Sequence, residues 1–190
     1  NQSLQKALKA KTIIIDPVPQ PFKPSVEGNC PYQTSAVDLR LGNEFSEFNG
    51  GSAIAIDLSR GKFSSVFANN SASRVVTDGD VYTLKPRHLV LAKTFERVEL
   101  PITRRGPWYA ARVEGKSSYA RCGLLVHFTA PTIHCGFRGT ITLELMNLGP
   151  YDLNLRVGAP ICQLIFERLE AKPFGNEGQF QDQNRPGGSR

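Results

Sequence analysis

Lys116-Ser117-Ser118-Tyr119-Ala120-Arg121 puts an ammonium, two hydroxyls and a guanidinium within six residues. These are the donors from which phosphate oxygens accept hydrogen bonds. With Gly115 in front, the run has the look of the end of a P-loop. A P-loop needs a glycine where Ala110 stands, and 111–114 contain none either. The backbone therefore cannot curl its N–H groups round a phosphate. A P-loop also opens a helix. Here Gly123-Leu-Leu-Val-His-Phe-Thr129 follows, β-branched and aromatic-rich, and reads as strand. The P-loop is rejected. A polar turn between two strands remains, either simply solvated or built to hold a polyanion.

The second candidate is a carboxylate. In Gly139-Thr-Ile-Thr-Leu-Glu-Leu-Met146, Ile141, Leu143 and Leu145 share one strand face; Thr142 and Glu144 share the other. Glu144 is then either an ordinary solvent-facing residue or a proton carrier aimed into a site, glutamate being only weakly disfavoured in strands. His88, His127 and His134 are far apart in sequence. There is no His-x-Glu with a Pro-Cys-x-x-Cys partner, the signature of zinc deaminases, and no Gly-x-Ser-x-Gly elbow. Cys30, Cys122, Cys135 and Cys162 form no Cys-x-x-Cys, so neither a zinc knuckle nor a redox dithiol is indicated. They read as reduced, mostly buried thiols.

The elements that must carry these groups are strands. A chain of 190 residues is long enough for one domain with a proper core. Hydrophobic residues make up 40% and charged residues 21%, the balance of a soluble globule. No apolar run approaches the ~20 residues of a membrane span. The start, Asn1-Gln-Ser-Leu-Gln-Lys, lacks the apolar core of a signal peptide, and a cytoplasmic protein is expected. The net charge of +6 is dispersed, with Arg104-Arg105 the only adjacent basic pair, so no nucleic-acid partner is expected. A modest positive bias also suits a site for small polyanions.

Ser3 can cap a short amphipathic helix over 3–11, with Leu4, Ala7 and Leu8 on one face. The run from Pro17 to Pro24 is extended and proline-punctuated. From there, alternation dominates: Val37, Leu39 and Leu41; Ile54, Ile56 and Leu58; then 139–146, 153–157 and 161–166. Asp78-Gly79-Asp80 makes a turn between Arg74-Val-Val and Val81-Tyr-Thr-Leu, and His88-Leu-Val-Leu-Ala is a further strand. Many short strands with Gly, Pro and Asn turns and almost no helix predict an all-β sandwich, jelly roll or small barrel. The polar tail over 175–190, rich in Gly, Gln and Asn, is disordered alone and able to order over a ligand.

Taken in series, these motifs carry a resemblance. Glu114-Gly-Lys-Ser-Ser-Tyr-Ala-Arg-Cys-Gly-Leu-Leu-Val-His127 resembles the Gly-Arg-Ser-Ser-Leu-Ala-Arg-x-Gly motif of dCTP deaminases, the deaminating branch of the trimeric dUTPase superfamily. The similarity continues through Ala130, Ile133, Gly136-Phe-Arg-Gly139 and Leu143-Glu144. Upstream it takes in Val37-Asp-Leu-Arg-Leu-Gly-Asn-Glu-Phe45 and Thr94-Phe-Glu-Arg-Val-Glu-Leu-Pro101. Downstream, Ala159-Pro-Ile-Cys-Gln-Leu-Ile-Phe166 is similar to the last core strand, and the tail to the family's lid.

The resemblance implies a distorted jelly roll, a dUTPase-like β-barrel over 1–174 with a short N-terminal helix, and a flexible C-terminal lid over 175–190. It implies a homotrimer with sites between subunits, and hydrolysis of dCTP to dUTP and ammonia. No zinc is implied; Mg2+ rides on the triphosphate. Glu144 is then the general acid–base, with Ser117 and Arg121 placing the water and offsetting developing charge. Lys116 and Ser118 join Ser117 as donors to phosphate. Ala130 orients water and pyrimidine through its backbone. Thr142, Phe174, Gln179 and Gln183 complete the substrate contacts, and His134 stands near the sugar 3′-hydroxyl.

The chain also departs from the family pattern. Lys116 stands where arginine is usual, and lysine neutralises phosphate without a bidentate grip. His134 stands where aspartate is usual, as either a sugar contact or a plain surface turn residue. Phe174 replaces a common tyrosine, and Gln179 a lysine that often meets phosphate. The segment 101–112, with Arg104, Arg105 and Trp108, is longer than typical. Two rivals accompany the main expectation: a bifunctional dCTP deaminase–dUTPase, and a nucleotide-binding sensor without turnover. Retention of both Glu144 and Arg121 argues against the sensor, which needs no proton shuttle.

Overall fold

The computed structural model describes residues 2–24, 30–49, 55–57, 59, 66, 69–175 and 181–186. Helix α1 (Gln2–Lys9) buries Leu4 and Ala7 on its apolar face. Thr12 closes its end by donating to the Ala7 carbonyl at 3.2 Å. The proline-rich run beyond it is anchored by Tyr32, whose hydroxyl donates to the Pro19 carbonyl at 2.9 Å and whose ring stacks on Phe22.

The strands are β1 (Ile14–Asp16), β2 (Ala36–Phe48), β3 (Ser71–Val75), β4 (Val81–Leu84), β5 (Leu89–Glu99), β6 (Trp108–Gly115), β7 (Leu124–Val126), β8 (Thr132–Ile133), β9 (Arg138–Asn147), β10 (Leu153–Arg156) and β11 (Pro160–Leu169). One turn of helix, α2 (Ser117–Ala120), joins β6 to β7. The order β7-β9-β5-β2-β11-β6-β8 forms one sheet, with β1 added on β5 and β3 on β2, while β4 and β10 pair apart from it. The strands pair antiparallel throughout.

The sheet curls because its long strands are bulged. Register shifts fall at Leu41/Phe45, Lys93/Arg97 and Pro160/Cys162. Each shift bends its strand and increases local twist. The result is the expected all-β, jelly-roll type of architecture. Asp78-Gly79-Asp80 is a turn, but the strands it separates do not pair with each other: β3 joins β2 and β4 joins β10. The alternation expected over 54–58 is not a strand where it is described, residues 55–57 being irregular; Ile54 and Leu58 lie outside the described residues.

The core runs along the inner face of the curl, through Val37, Leu39, Leu41, Phe45, Leu143, Leu145 and Leu164. Burying each such side chain contributes about 1.5–3 kcal/mol. Buried polar groups repair the ladder where the bulges break it. Glu96, fully buried, accepts from the Arg40 backbone N–H at 2.8 Å and from its guanidinium at 2.6 Å. Thr94 Oγ1 accepts from the Ile141 N–H at 2.9 Å and donates to the Glu96 carbonyl at 2.8 Å. An N–H that has lost its strand partner is thereby satisfied.

Candidate active site

Strand β9 alternates strictly. Gly139, Ile141, Leu143 and Leu145 are buried, so Arg138, Thr140, Thr142 and Glu144 come out on the opposite face. Strand β7 pairs with β9 up to Val126 opposite Leu145. The next residue, His127, donates its backbone N–H to the Glu144 carbonyl at 3.0 Å and then turns out of the strand at φ +61°. That turn brings the imidazole over the β9 face. His127 Nδ1 lies 2.7 Å from Glu144 Oε2, and Nε2 lies 3.0 Å from the Ala130 carbonyl. Oε2 sits off the ring's N–H axis, so the contact is an ion pair rather than a straight hydrogen bond.

The electrostatics of the pair follow from this placement. Burial acts to lower the His127 pKa, but contact with Glu144, its negative charge, and the Ala130 and Thr142 backbone together raise it above the ordinary value. Both ring nitrogens face acceptors, which favours the doubly protonated ring. The His127 side chain is 8% exposed and that of Glu144 is 32%. Glu144 therefore has one oxygen braced from within the protein, while Oε1 has no hydrogen-bond partner among the described residues. A carboxylate held on one side and open on the other can carry a proton between two positions on a bound molecule.

The polar turn from Lys116 to Arg121 occupies a different place. Lys116 follows β6 in extended conformation, and its carbonyl accepts from the Tyr119 and Ala120 N–H groups to start α2. Ser117 and Ser118 are exposed, as is Arg121 at the end of the turn. Arg121 makes no side-chain hydrogen bond or ion pair among the described residues. The turn is clamped from behind at Gly123, which has φ +92° and on which a Cβ would stand 2.4 Å from the Gly149 nitrogen. Asn147 holds that second segment: its Oδ1 accepts from the Gly149 N–H, and its amide donates to the Leu84 and Tyr151 carbonyls. Lys116 differs from its neighbours, because its ammonium is 2.5 Å from Asp38 Oδ2.

Glu144, Thr142 and Ala130 thus gather round His127, whereas Ser117, Ser118 and Arg121 form a second group at the far end of β7. Among the described residues no hydrogen bond or ion pair joins the two groups. His134 is exposed in the turn after β8, where its carbonyl accepts from the Phe137 N–H at 3.1 Å. That turn borders an open cleft of about 380 Å³ whose lining includes Phe137, Arg138 and Gln181. Among the described residues no three His, Cys, Asp or Glu side chains converge as metal ligands would.

The tail meets the same β9 face. Gln183 is buried against Thr140, accepting from its N–H at 3.0 Å and donating its side-chain amide to its carbonyl at 2.8 Å. Asp182 is gripped by Arg138 and, at 2.8 Å, by Arg97; these two guanidinium groups hold its carboxyl far below the ordinary range. Lys93 donates to the Asn184 carbonyl at 2.7 Å. Gly139 allows the approach, since a Cβ there would stand 3.0 Å from the Gln183 carbonyl oxygen at φ +153°. Phe174 is 98% exposed, and Gln179 lies outside the described residues.

Sequence reasoning missed His127 and Asp38. His127 stood inside the motif, but only the β7–β9 register shows that it meets Glu144. Asp38 was one polar residue in an alternating run, with no spacing to connect it to Lys116.

A family model described as dCTP deaminase-like matches residues 1–169. A dUMP-forming dCTP deaminase of Halobacterium salinarum is 39% identical over 163 residues, covering 83% of this chain and 80% of its own. A dCTP deaminase of Shewanella amazonensis is 38% identical over 198 residues, covering 98% and 94%. A dUMP-forming dCTP deaminase of Methanosphaera stadtmanae is 34% identical over 181 residues, covering 93% and 83%. Among solved structures, the 2′-deoxycytidine 5′-triphosphate deaminase of Agrobacterium tumefaciens matches 88% of this chain with a TM-score of 0.60; at 16% identity the likeness is one of fold, and this chain spans 47% of that one.

Proposed function

The chain belongs to the dCTP deaminase-like family, and we propose that it hydrolyses dCTP to dUTP and ammonia with Glu144 as the general acid–base. The supporting observation is the half-open carboxylate of Glu144, braced by His127 on Oε2 and free on Oε1. Replacing the amine at C4 of cytosine requires a water made nucleophilic, a proton delivered to the ring, and a proton for the departing amine. Glu144 Oε1 takes one proton from water, whose oxygen bonds to C4, and delivers it to ring N3. It then passes the remaining hydroxyl proton to the amine, which leaves as ammonia as the C4–N bond breaks. His127 fixes the rotamer of the carboxylate and offsets its charge. Ala130, beside His127, orients water and pyrimidine through its backbone, and Thr142 lines the same face.

In this reading the site is completed between subunits of a homotrimer. Ser117 and Arg121 of one subunit face Glu144 of the next, which suits their separation within a single chain. Arg121 offsets charge developing on the base and Ser117 holds the water. Ser118 donates to the triphosphate, on which Mg2+ rides. His134 stands by the sugar. Residues 175–190 close over the nucleotide, with Phe174 at the hinge and Gln179 on the bound molecule. The expected contact of Gln183 is replaced by its bonds to Thr140, which hold the tail to β9.

A second reading, in which the same site goes on to dUMP, is favoured by the dUMP-forming names of the Halobacterium and Methanosphaera relatives. His134 argues for dUTP as the product here. It replaces a usual aspartate, and an imidazole directs its nitrogens differently from a carboxylate, so a water placed for hydrolysis would lose its geometry. Ammonia release from dCTP, with chromatography of the nucleotide product, tests both readings. No ammonia overturns the deaminase, and stoichiometric dUMP overturns the choice of product.

A further inference from the structure

Lys116 would be expected to reach out to phosphate, yet its ammonium turns inward. It lies 2.5 Å from Asp38 Oδ2, with the lysine side chain 19% exposed and the aspartate 8%. Asp38 is itself held, since Gln163 Nε2 donates to Oδ1 at 3.1 Å. The sheet explains the alignment. Gln163 on β11 stands opposite Asp38 on β2 and opposite Glu114 on β6, so the three form one row across the strands. Lys116, just beyond the end of β6, lays its stem across that row to the far strand. Its backbone is the point at which strand becomes turn, for its carbonyl accepts from the Tyr119 and Ala120 N–H groups.

We propose that Lys116 is a positioning residue: pinned by Asp38, which Gln163 orients, it sets the place of the turn carrying Ser117 and Arg121 instead of binding phosphate. A charge neutralised at this distance by a buried partner offers little to a triphosphate, and swinging it out would leave Asp38 buried with an unpaired charge. The same bond is well placed for leverage. A displacement of ~1 Å in a residue that positions substrate can lower turnover ~10²-fold.

The inference rests on the reading of Ser117 and Arg121 as site residues, and the experiment separates the two. Steady-state deamination of dCTP is measured for Asp38→Asn, Lys116→Met, the double variant and Arg121→Ala. Dissociation constants for dUTP and dUMP are measured by titration calorimetry. Each single change at 38 or 116 should lower kcat about tenfold or more, the double variant should be no worse than the poorer single, and both nucleotides should weaken by the same factor. Full turnover in Asp38→Asn, or tighter dUTP binding once the lysine is released, overturns the inference. So does a Lys116→Met variant that loses dUTP at least about tenfold more than dUMP, which is the mark of a phosphate contact. If Asp38→Asn does not fold, that ratio for Lys116→Met decides alone. Arg121→Ala at the wild-type rate overturns the underlying reading, whereas a dead Arg121→Ala beside a fully active Asp38→Asn overturns only the inference.

Discussion

His127 and Glu144 meet because β7 ends one residue before the histidine: backbone N–H to carbonyl at 3.0 Å, then imidazole to carboxylate at 2.7 Å. The carboxylate is braced at one oxygen and open at the other. In the proposed reading that asymmetry is useful, because a carboxylate free on both sides samples several rotamers and one bonded on both sides offers no oxygen to a bound base.

Glu144→Gln keeps the shape of the side chain and removes its proton-carrying capacity. We expect turnover of dCTP to fall by at least ~10²-fold, the scale of a lost general acid–base, with dUTP affinity nearly unchanged. Ammonia release and calorimetry measure the two. A near wild-type rate removes Glu144 from the mechanism.

The raised pKa of His127 carries a stability signature. A histidine raised above its unfolded value of about 6.5 adds stability that is fully present below that pH and lost as pH rises through the folded value. The urea midpoint of the wild type should therefore exceed that of His127→Asn most at pH ~6, and the gap should narrow by pH ~9. Both proteins must be compared at one concentration, since assembly also stabilises. A gap that widens with pH contradicts the ion pair.

Separation of Glu144 from Arg121 within one chain makes a sharper test of assembly than size alone. Glu144→Gln and Arg121→Ala should each be inactive as pure proteins. Unfolded together and refolded, they should recover a measurable fraction of activity, because some shared sites then hold both native residues. Light scattering should give a trimer throughout. Inactive mixed trimers would place both groups in one chain's site.

His134→Asp restores the side chain usual in the family. If His134 stands by the sugar, the variant should bind dCTP with a changed KM, and hydrolysis of added dUTP should rise above the wild-type level. Pyrophosphate release reads the second effect. An unchanged KM and no dUTP hydrolysis would return His134 to a plain turn residue.

Sequence alone determined the class of the fold and the face of its strand on which Glu144 stands. Alternation in 139–146 fixes which side of β9 Glu144 faces, because a strand turns every second side chain the same way. The Lys116-to-Arg121 run was legible as a polar turn between two strands from residue types alone. Neither signal reaches across strands. That His127 braces Glu144 depends on the register of β7 on β9 and on a backbone turn at φ +61°. That Lys116 turns inward depends on β11 lying between β2 and β6, which brings Asp38 under a residue distant in sequence. Where Gln183 goes depends on the Lys93/Arg97 shift, beside which it bonds to Thr140. A local pattern records which way a side chain points, whereas partners across a sheet are set by register and bulges, and these emerge only when distant segments pack together.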